Sequence, residues 1–335
     1  MSVAESAFSL PPMAELHCHL EGTVSPAMAM KLGARHGMDL QGLLDAHGAY
    51  AWDNFNEFLA SYDAMAKAIQ TPEDYFDITY DYYAAMARRG LIYGESFVSP
   101  DHGQYHGLSY PTLIEAISGA MKKAEADFGI TARIILIAVR HYGVERAKAV
   151  AELAHRHPHP MVVGFGMGGD EHYLHPADFK QAFACASDAG LGLTCHAGEA
   201  MGPESIKATI DALHVSRIGH GVRAIEDPAL VDELRDKGIV LELCPGSNVA
   251  LGVYPERSAH PLAALIQSGL KITLNSDDPP FFHTDIEQEY RNASLYEGLD
   301  GDDLRQLTRQ AISAAFCDDE TKQSLLNTIA EPQKS

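Results

Sequence analysis

The chain has 335 residues, 46% of them hydrophobic, and a formal charge of −21 from 25 basic and 46 acidic side chains. That is enough apolar material for one large core or two ordinary ones. The acidic excess argues against a nucleic-acid partner, because phosphate binding needs clustered Lys and Arg. Residues 1–12 lack the basic-then-apolar order of a secretion signal, and no run is long and apolar enough for a membrane span. Five cysteines without a CxxC pair argue against a disulfide framework and for a reducing, cytoplasmic setting.

In chain order, the first apolar run covers 14–18 and ends in His17-Cys18-His19. A long interval follows, about 24–90, with helical spacing at 26–36, 40–47, 54–69 and 72–89. It is read as an insertion after the first strand. Phe55, Phe58, Leu59, Tyr62 and Met65 form an apolar face there, suited to packing on a core or to serving as a lid that excludes water. Further apolar runs fall at 91–99, 132–139, 161–166, 192–196, 217–219, 239–244 and 271–275, with Gly, Pro and Asp at their ends. Helical patterns lie between them at 111–128, 144–155, 176–189 and 203–213, several with Pro near the first turn. Strands alternating with helices imply a parallel sheet, and this number of units suits a closed (β/α)8 TIM-type barrel with right-handed crossovers. A doubly wound open sheet is the alternative; the absence of GxGxxG after the first strand weakens its dinucleotide-binding version. The chain is expected to be a single domain over 1–335, with a frayed tail at 331–335.

Four strand ends carry residues that can bind metal: His17 and His19, His196, His220, and Asp277 with Asp278. In a (β/α)8 barrel these ends share one face, where active sites lie. Residues i and i+2 of a strand point the same way, so His17 and His19 can both project inward while Cys18 turns to the helices. Imidazoles plus a carboxylate suit Zn2+ better than Mg2+ and leave a position for water. Strand four has no lysine to bridge two ions, which favours one metal. Glu199, three residues past His196, is placed to shuttle protons. His220 is a further ligand or a base. Of Asp277 and Asp278, one can bind metal while the other orients substrate. Gly166–Glu171 offers a bare backbone to which a flat ligand could hydrogen-bond.

The motifs Glu-Leu-His-Cys-His-Leu-Glu-Gly (15–22), Gly-Asp-Glu (169–171), His-Ala-Gly-Glu (196–199), Gly-His-Gly-Val (219–222), Cys-Pro-Gly-Ser-Asn (244–248) and Asn-Ser-Asp-Asp-Pro (275–279) resemble the adenosine deaminase family of the amidohydrolase superfamily. The resemblance runs from about 13 to 285. It implies a barrel with one zinc per chain that replaces a purine 6-amino group with oxygen. It further implies His17, His19, His196 and Asp277 as ligands, Glu199 as the acid at the ring nitrogen, and His220 orienting or deprotonating the attacking hydroxide. His19, Glu21, Gly169, Asp278 and the lid residues Phe58, Leu59 and Tyr62 would bind substrate. Glu21 departs from the Asp of typical adenosine deaminases and matches family members that act on free adenine. Gly168–Glu171 is closer to the nucleoside enzymes. The leading expectation is adenosine or 2′-deoxyadenosine; the alternative is adenine or an N6-modified purine.

Overall fold

The computed structural model describes residues 10–330. The tail at 331–335 and most of the segment read for a secretion signal lie outside that range. Eight strands follow one another around a parallel sheet in sequence order: β1 (Met13–His19), β2 (Leu91–Val98), β3 (Thr131–Val139), β4 (Val162–Gly168), β5 (Gly192–Ala197), β6 (Arg217–His220), β7 (Val240–Leu243) and β8 (Lys271–Leu274). The two sheet edges meet just beyond β8. His19 N–H donates to the Asp277 carbonyl at 2.9 Å, and Asp277 N–H donates to the His17 carbonyl at 3.2 Å. The expected (β/α)8 barrel is present. Its strands read as near-continuous apolar runs because helices cover one face and the barrel interior the other.

Between β1 and β2 lie three helices, α1 (Pro26–His36), α2 (Phe55–Ala66) and α3 (Pro72–Arg88). Local chemistry explains their limits. Ser25 caps α1 by accepting Met28 N–H, Pro26 opens it, and Gly37 closes it with φ +66°. Thr71 and Asp74 form a capping box on α3. Buried Asp74 also meets Arg35 and His36, tying α3 to α1.

The helix expected at 40–47 is not there. A single 3-10 turn, Gln41–Leu43, precedes a bridge between Leu44 and Tyr50. The Asp45 carboxylate accepts the N–H of His47 at 2.7 Å and of Ala49 at 3.0 Å, and this local turn outcompetes helix. The helix expected over 176–189 begins as a 3-10 turn, Pro176–Phe179, before Lys180–Asp188 continues it.

Helix α2 packs its apolar face onto the loop after β8. Phe58 stacks obliquely on Phe282 with centroids 4.9 Å apart, Tyr62 meets Phe281 at 5.8 Å, and Trp52 Nε1–H donates to the Phe281 carbonyl at 3.1 Å. Burying each large side chain contributes roughly 1.5–3 kcal/mol, so this face anchors the insertion over the barrel mouth. Among the described residues, no helix is long and apolar enough to cross a membrane.

Candidate active site

The strand-end residues converge. Ligand atoms of His17, His19, His196 and Asp277 all lie within 4.8 Å of one another. His17 Nδ1 lies 2.8 Å from Glu242 Oε2, and a carboxylate can only accept, so this nitrogen holds a proton and Nε2 is the one left to face a cation. His196 Nδ1 lies 3.0 Å from the Met167 carbonyl, which likewise leaves Nε2 bare. That Nε2 faces His19 Nε2 at 3.2 Å, while Asp277 Oδ1 sits 3.3 Å from His19 Nε2 and 3.5 Å from His17 Nε2. The His17 Nε2 atom is buried without a hydrogen-bond partner. Bare imidazole nitrogens held around a carboxylate are a donor set for a divalent cation of zinc type.

Electrostatics agree. Burial, together with His17, His220 and His19, holds His196 well below its ordinary pKa, so it stays a neutral ligand. Burial alone would lower His17, but its contacts with Asp277 and Glu242 outweigh that and raise it to about 9. Burial would raise Asp277, yet His17, His19 and His220 keep it well below the usual carboxylate range. A bound cation would replace the proton on His17, so metal uptake releases protons.

Two of these residues sit in strained backbone. His220 has φ +57° and Asp277 φ +64°, the left-handed region that side chains rarely adopt. The turn at Asp277 aims its carboxylate back into the barrel. A second, overlapping set joins His17, His220, Cys244 and Asp277. Burial first, then Asp277 and Glu199, pushes the Cys244 thiol well up, so it remains protonated and a poor ligand. The two sets share His17 and Asp277, so they describe one site. Cys18, as expected, belongs to neither set; its sulfur lies 4.0 Å from Ser276 Oγ.

A cavity opens over the cluster. Its walls include His19, His196, Glu199, His220, Asp277, Asp278, Gly169, Phe58, Leu59 and Tyr62. Phe58 and Tyr62 both pack on the β8 loop and line the cavity, and Leu59 lines it beside them. Glu199 Oε1 and Asp278 Oδ1 are buried without partners. Burial, with Asp277 and Glu171, raises Glu199 well above its ordinary pKa. Burial, with Asp277 and Glu199, does the same to Asp278. Gly169 has φ +97°, and a Cβ there would fall 2.8 Å from His141 Nδ1, so only glycine keeps this backbone against the cavity.

Glu21 departs from expectation. It does not line the cavity and is 1% exposed. It lies beneath the wall, accepting Ser99 N–H at 3.2 Å and standing 3.6 Å from His102 Nδ1. A carboxylate directly after β1 is drawn under the start of α4 (Pro100–Tyr105), where a backbone donor satisfies it. Ser99 and His102 present the surface that Glu21 was expected to present.

Sequence reasoning missed three supporting carboxylates. Glu171 accepts the N–H groups of Gly198, Glu199, Ala200 and Met201 and the Ser205 hydroxyl, and so shapes the loop carrying Glu199. Its neighbours in Gly-Asp-Glu suggested only a ligand-facing backbone. Glu242 and Glu95 flank buried Arg217 at 2.6 and 2.7 Å. Acidic residues inside apolar runs were the available signal, since buried charge demands a partner. Glu242→Gln should lower divalent-metal affinity about 10–100-fold, measured by chelator competition, because it weakens the bond orienting His17. An unchanged affinity would show that His17 needs no such support.

A family model described as "Adenosine deaminase" matches residues 12–332. A protein named adenine deaminase from Chelativorans sp. (strain BNC1) is 46% identical over 312 residues, covering 93% of this chain and 96% of that one. The crystal structure of an adenine deaminase from Arthrobacter aurescens superposes with a TM-score of 0.89 at 29% identity, over 95% of this chain and 98% of that one. An amidohydrolase from Burkholderia ambifaria, solved with bound Zn, superposes with a TM-score of 0.87 at 27% identity, over 98% and 93%. With the barrel, the ligand cluster and a match spanning nearly the whole chain, this protein belongs to the adenosine deaminase family and is a hydrolase.

Proposed function

We propose that this chain is one barrel domain with a helical lid, that it binds one zinc ion through His17, His19, His196 and Asp277, and that it hydrolyses adenine to hypoxanthine and ammonia. Adenosine was the leading expectation from sequence, and it gives way to its alternative. Relatives at 46% and 45% identity, each matched over more than nine-tenths of its length, carry the name adenine deaminase. The observation that supports the reading in this structure is the part of the cavity wall built over Glu21. A 6-aminopurine with its reacting carbon at the ligand cluster points N9 away from it. Ser99 and His102, backed by Glu21, stand on the cavity wall with Asp63 of the lid. Such a wall suits a free N9–H and crowds a ribose.

When bound, zinc supplies Lewis acidity that lowers the pKa of water toward about 7. The protein's own groups do the rest. Glu199, kept protonated by burial, donates to the ring nitrogen beside the reacting carbon and makes that carbon electrophilic. Gly169 N–H donates to another ring nitrogen. Asp278 engages the attacking oxygen and the ring edge. Phe58, Leu59 and Tyr62 exclude bulk water, which strengthens each of these contacts. The five unpaired cysteines suit a reducing, cytoplasmic setting.

Ammonia release on adenine, adenosine, 2′-deoxyadenosine and N6-substituted purines, measured side by side with zinc-loaded protein, tests the assignment. Adenine should be turned over with the highest kcat/KM. A higher value for adenosine would restore the first expectation, and inactivity on every purine would remove the assignment.

A further inference from the structure

Two buried residues outside the cavity bear on His220. Asn248 is fully buried in the turn of helix after β7, and His260 is 6% exposed just before the helix Leu262–Gln267. Neither lines the cavity. Leu262 N–H lies 3.2 Å from His260 Nδ1. A backbone N–H can only donate, so this nitrogen accepts, and the proton of a neutral imidazole must sit on Nε2. Burial, reinforced by Arg257, lowers the His260 pKa to about 3, so the ring is neutral.

His260 Nε2 lies 3.2 Å from Asn248 Oδ1. That contact is a donor meeting a carbonyl, which sets the orientation of the carboxamide. The amide nitrogen of Asn248 then faces His220 Nδ1 at 3.4 Å. An amide N–H also can only donate, so His220 Nδ1 accepts. The proton of neutral His220 is left on Nε2, which lies 3.5 Å from Glu199 Oε2 and 3.9 Å from Asp277 Oδ2, at the reacting end of the cavity.

We propose that Asn248 and His260 are positioning residues that lock His220 as its Nε2–H tautomer, so that His220 meets the attacking oxygen as a hydrogen-bond donor and not as a base. The direction of the whole relay starts from one unambiguous donor, Leu262 N–H. It resolves the choice between orienting and deprotonating that the sequence left open for His220. Its role becomes that of a pre-aimed donor for charge that grows on oxygen in the tetrahedral intermediate.

The test is long-range 1H–15N correlation NMR on zinc-loaded protein, with kinetics beside it. The wild-type spectrum should show His220 protonated on Nε2 and bare on Nδ1. Asn248→Asp is nearly isosteric but replaces the donor with an acceptor, so it should move the proton to Nδ1. A wrong tautomer is costly: kcat should fall by at least about 100-fold while KM stays within about threefold and zinc content is unchanged. A purely structural role for Asn248 would lower the melting temperature without moving the proton. His260→Phe frees the carboxamide to turn, and should give a mixture of tautomers with a smaller loss of kcat. Protonated Nδ1 in the wild type would overturn the proposal, as would near wild-type turnover by Asn248→Asp. Should that variant fail to fold, the wild-type spectrum alone decides. The kinetic arm rests on adenine as substrate, whereas the spectrum does not. A protein inactive on adenine that still shows Nε2–H would refute the substrate reading and leave the tautomer assignment standing.

Discussion

Replacing Glu199 with Gln should lower kcat for deamination by about 10²–10⁴ while the metal content of the protein stays unchanged. The carboxyl group faces the cavity, and its Oε1 is buried without a partner. Burial and the nearby Asp277 and Glu171 carboxylates raise its pKa well above the ordinary carboxylate value and so favour its protonated form. Glutamine has the same size and can still donate a hydrogen bond, but it cannot transfer the proton that activates the ring. The loop should survive, because Glu171 holds it through backbone N–H groups that the substitution leaves in place. Metal content, KM and kcat measured together separate these effects. Turnover within about tenfold of wild type would take Glu199 out of the proton path.

Arg217→Met should destabilise the fold by about 3–5 kcal/mol, because it strands two buried carboxylates. The Arg217 guanidinium lies 2.7 Å from Glu95 and 2.6 Å from Glu242, and it stacks on Phe316 at 3.6 Å. Glu242 passes this charge on to His17 and Thr194. Burial would raise the Glu242 pKa, but Arg217, then His17 and Thr194, hold it below the usual carboxylate value. A depressed folded pKa stabilises above the unfolded value of about 4.5 and is lost as pH falls through the folded one. Removing Arg217 removes that stabilisation, so the gap between wild type and variant should be widest near neutrality and narrow on acidification. Urea midpoints at about pH 7.5 and about pH 4.5 read it directly. A gap that widens in acid would contradict the argument. Arg217→Lys should recover only part of the loss, because an ammonium lacks the fork that reaches both carboxylates.

Much of this was legible along the chain. The apolar runs between turn residues placed all eight strands within a residue or two of their observed limits, because a strand buried on both faces leaves a near-continuous hydrophobic signature. His17, His19, His196 and Asp277 were legible because barrel topology sends every strand end to one face. The segment 40–47 was misread because its helical spacing carries no record of the Asp45 turn that breaks it. Glu21 was misplaced for a related reason. Its distance from His19 along the chain is fixed, but its side chain is directed by a backbone donor at Ser99, far away in sequence.

The sequence by itself therefore determined the fold class, the face on which the metal-ligating residues gather and the residue types that gather there. All three follow from local periodicity and from residue type at strand ends. Tertiary structure alone decided how each group is charged and aimed. Burial against neighbouring carboxylates favours the protonated form of Glu199, Glu242 turns His17 Nε2 inward, and Asn248 with His260 sets the proton of His220. Protonation and tautomer depend on partners brought together only by folding, and no spacing along the chain records them.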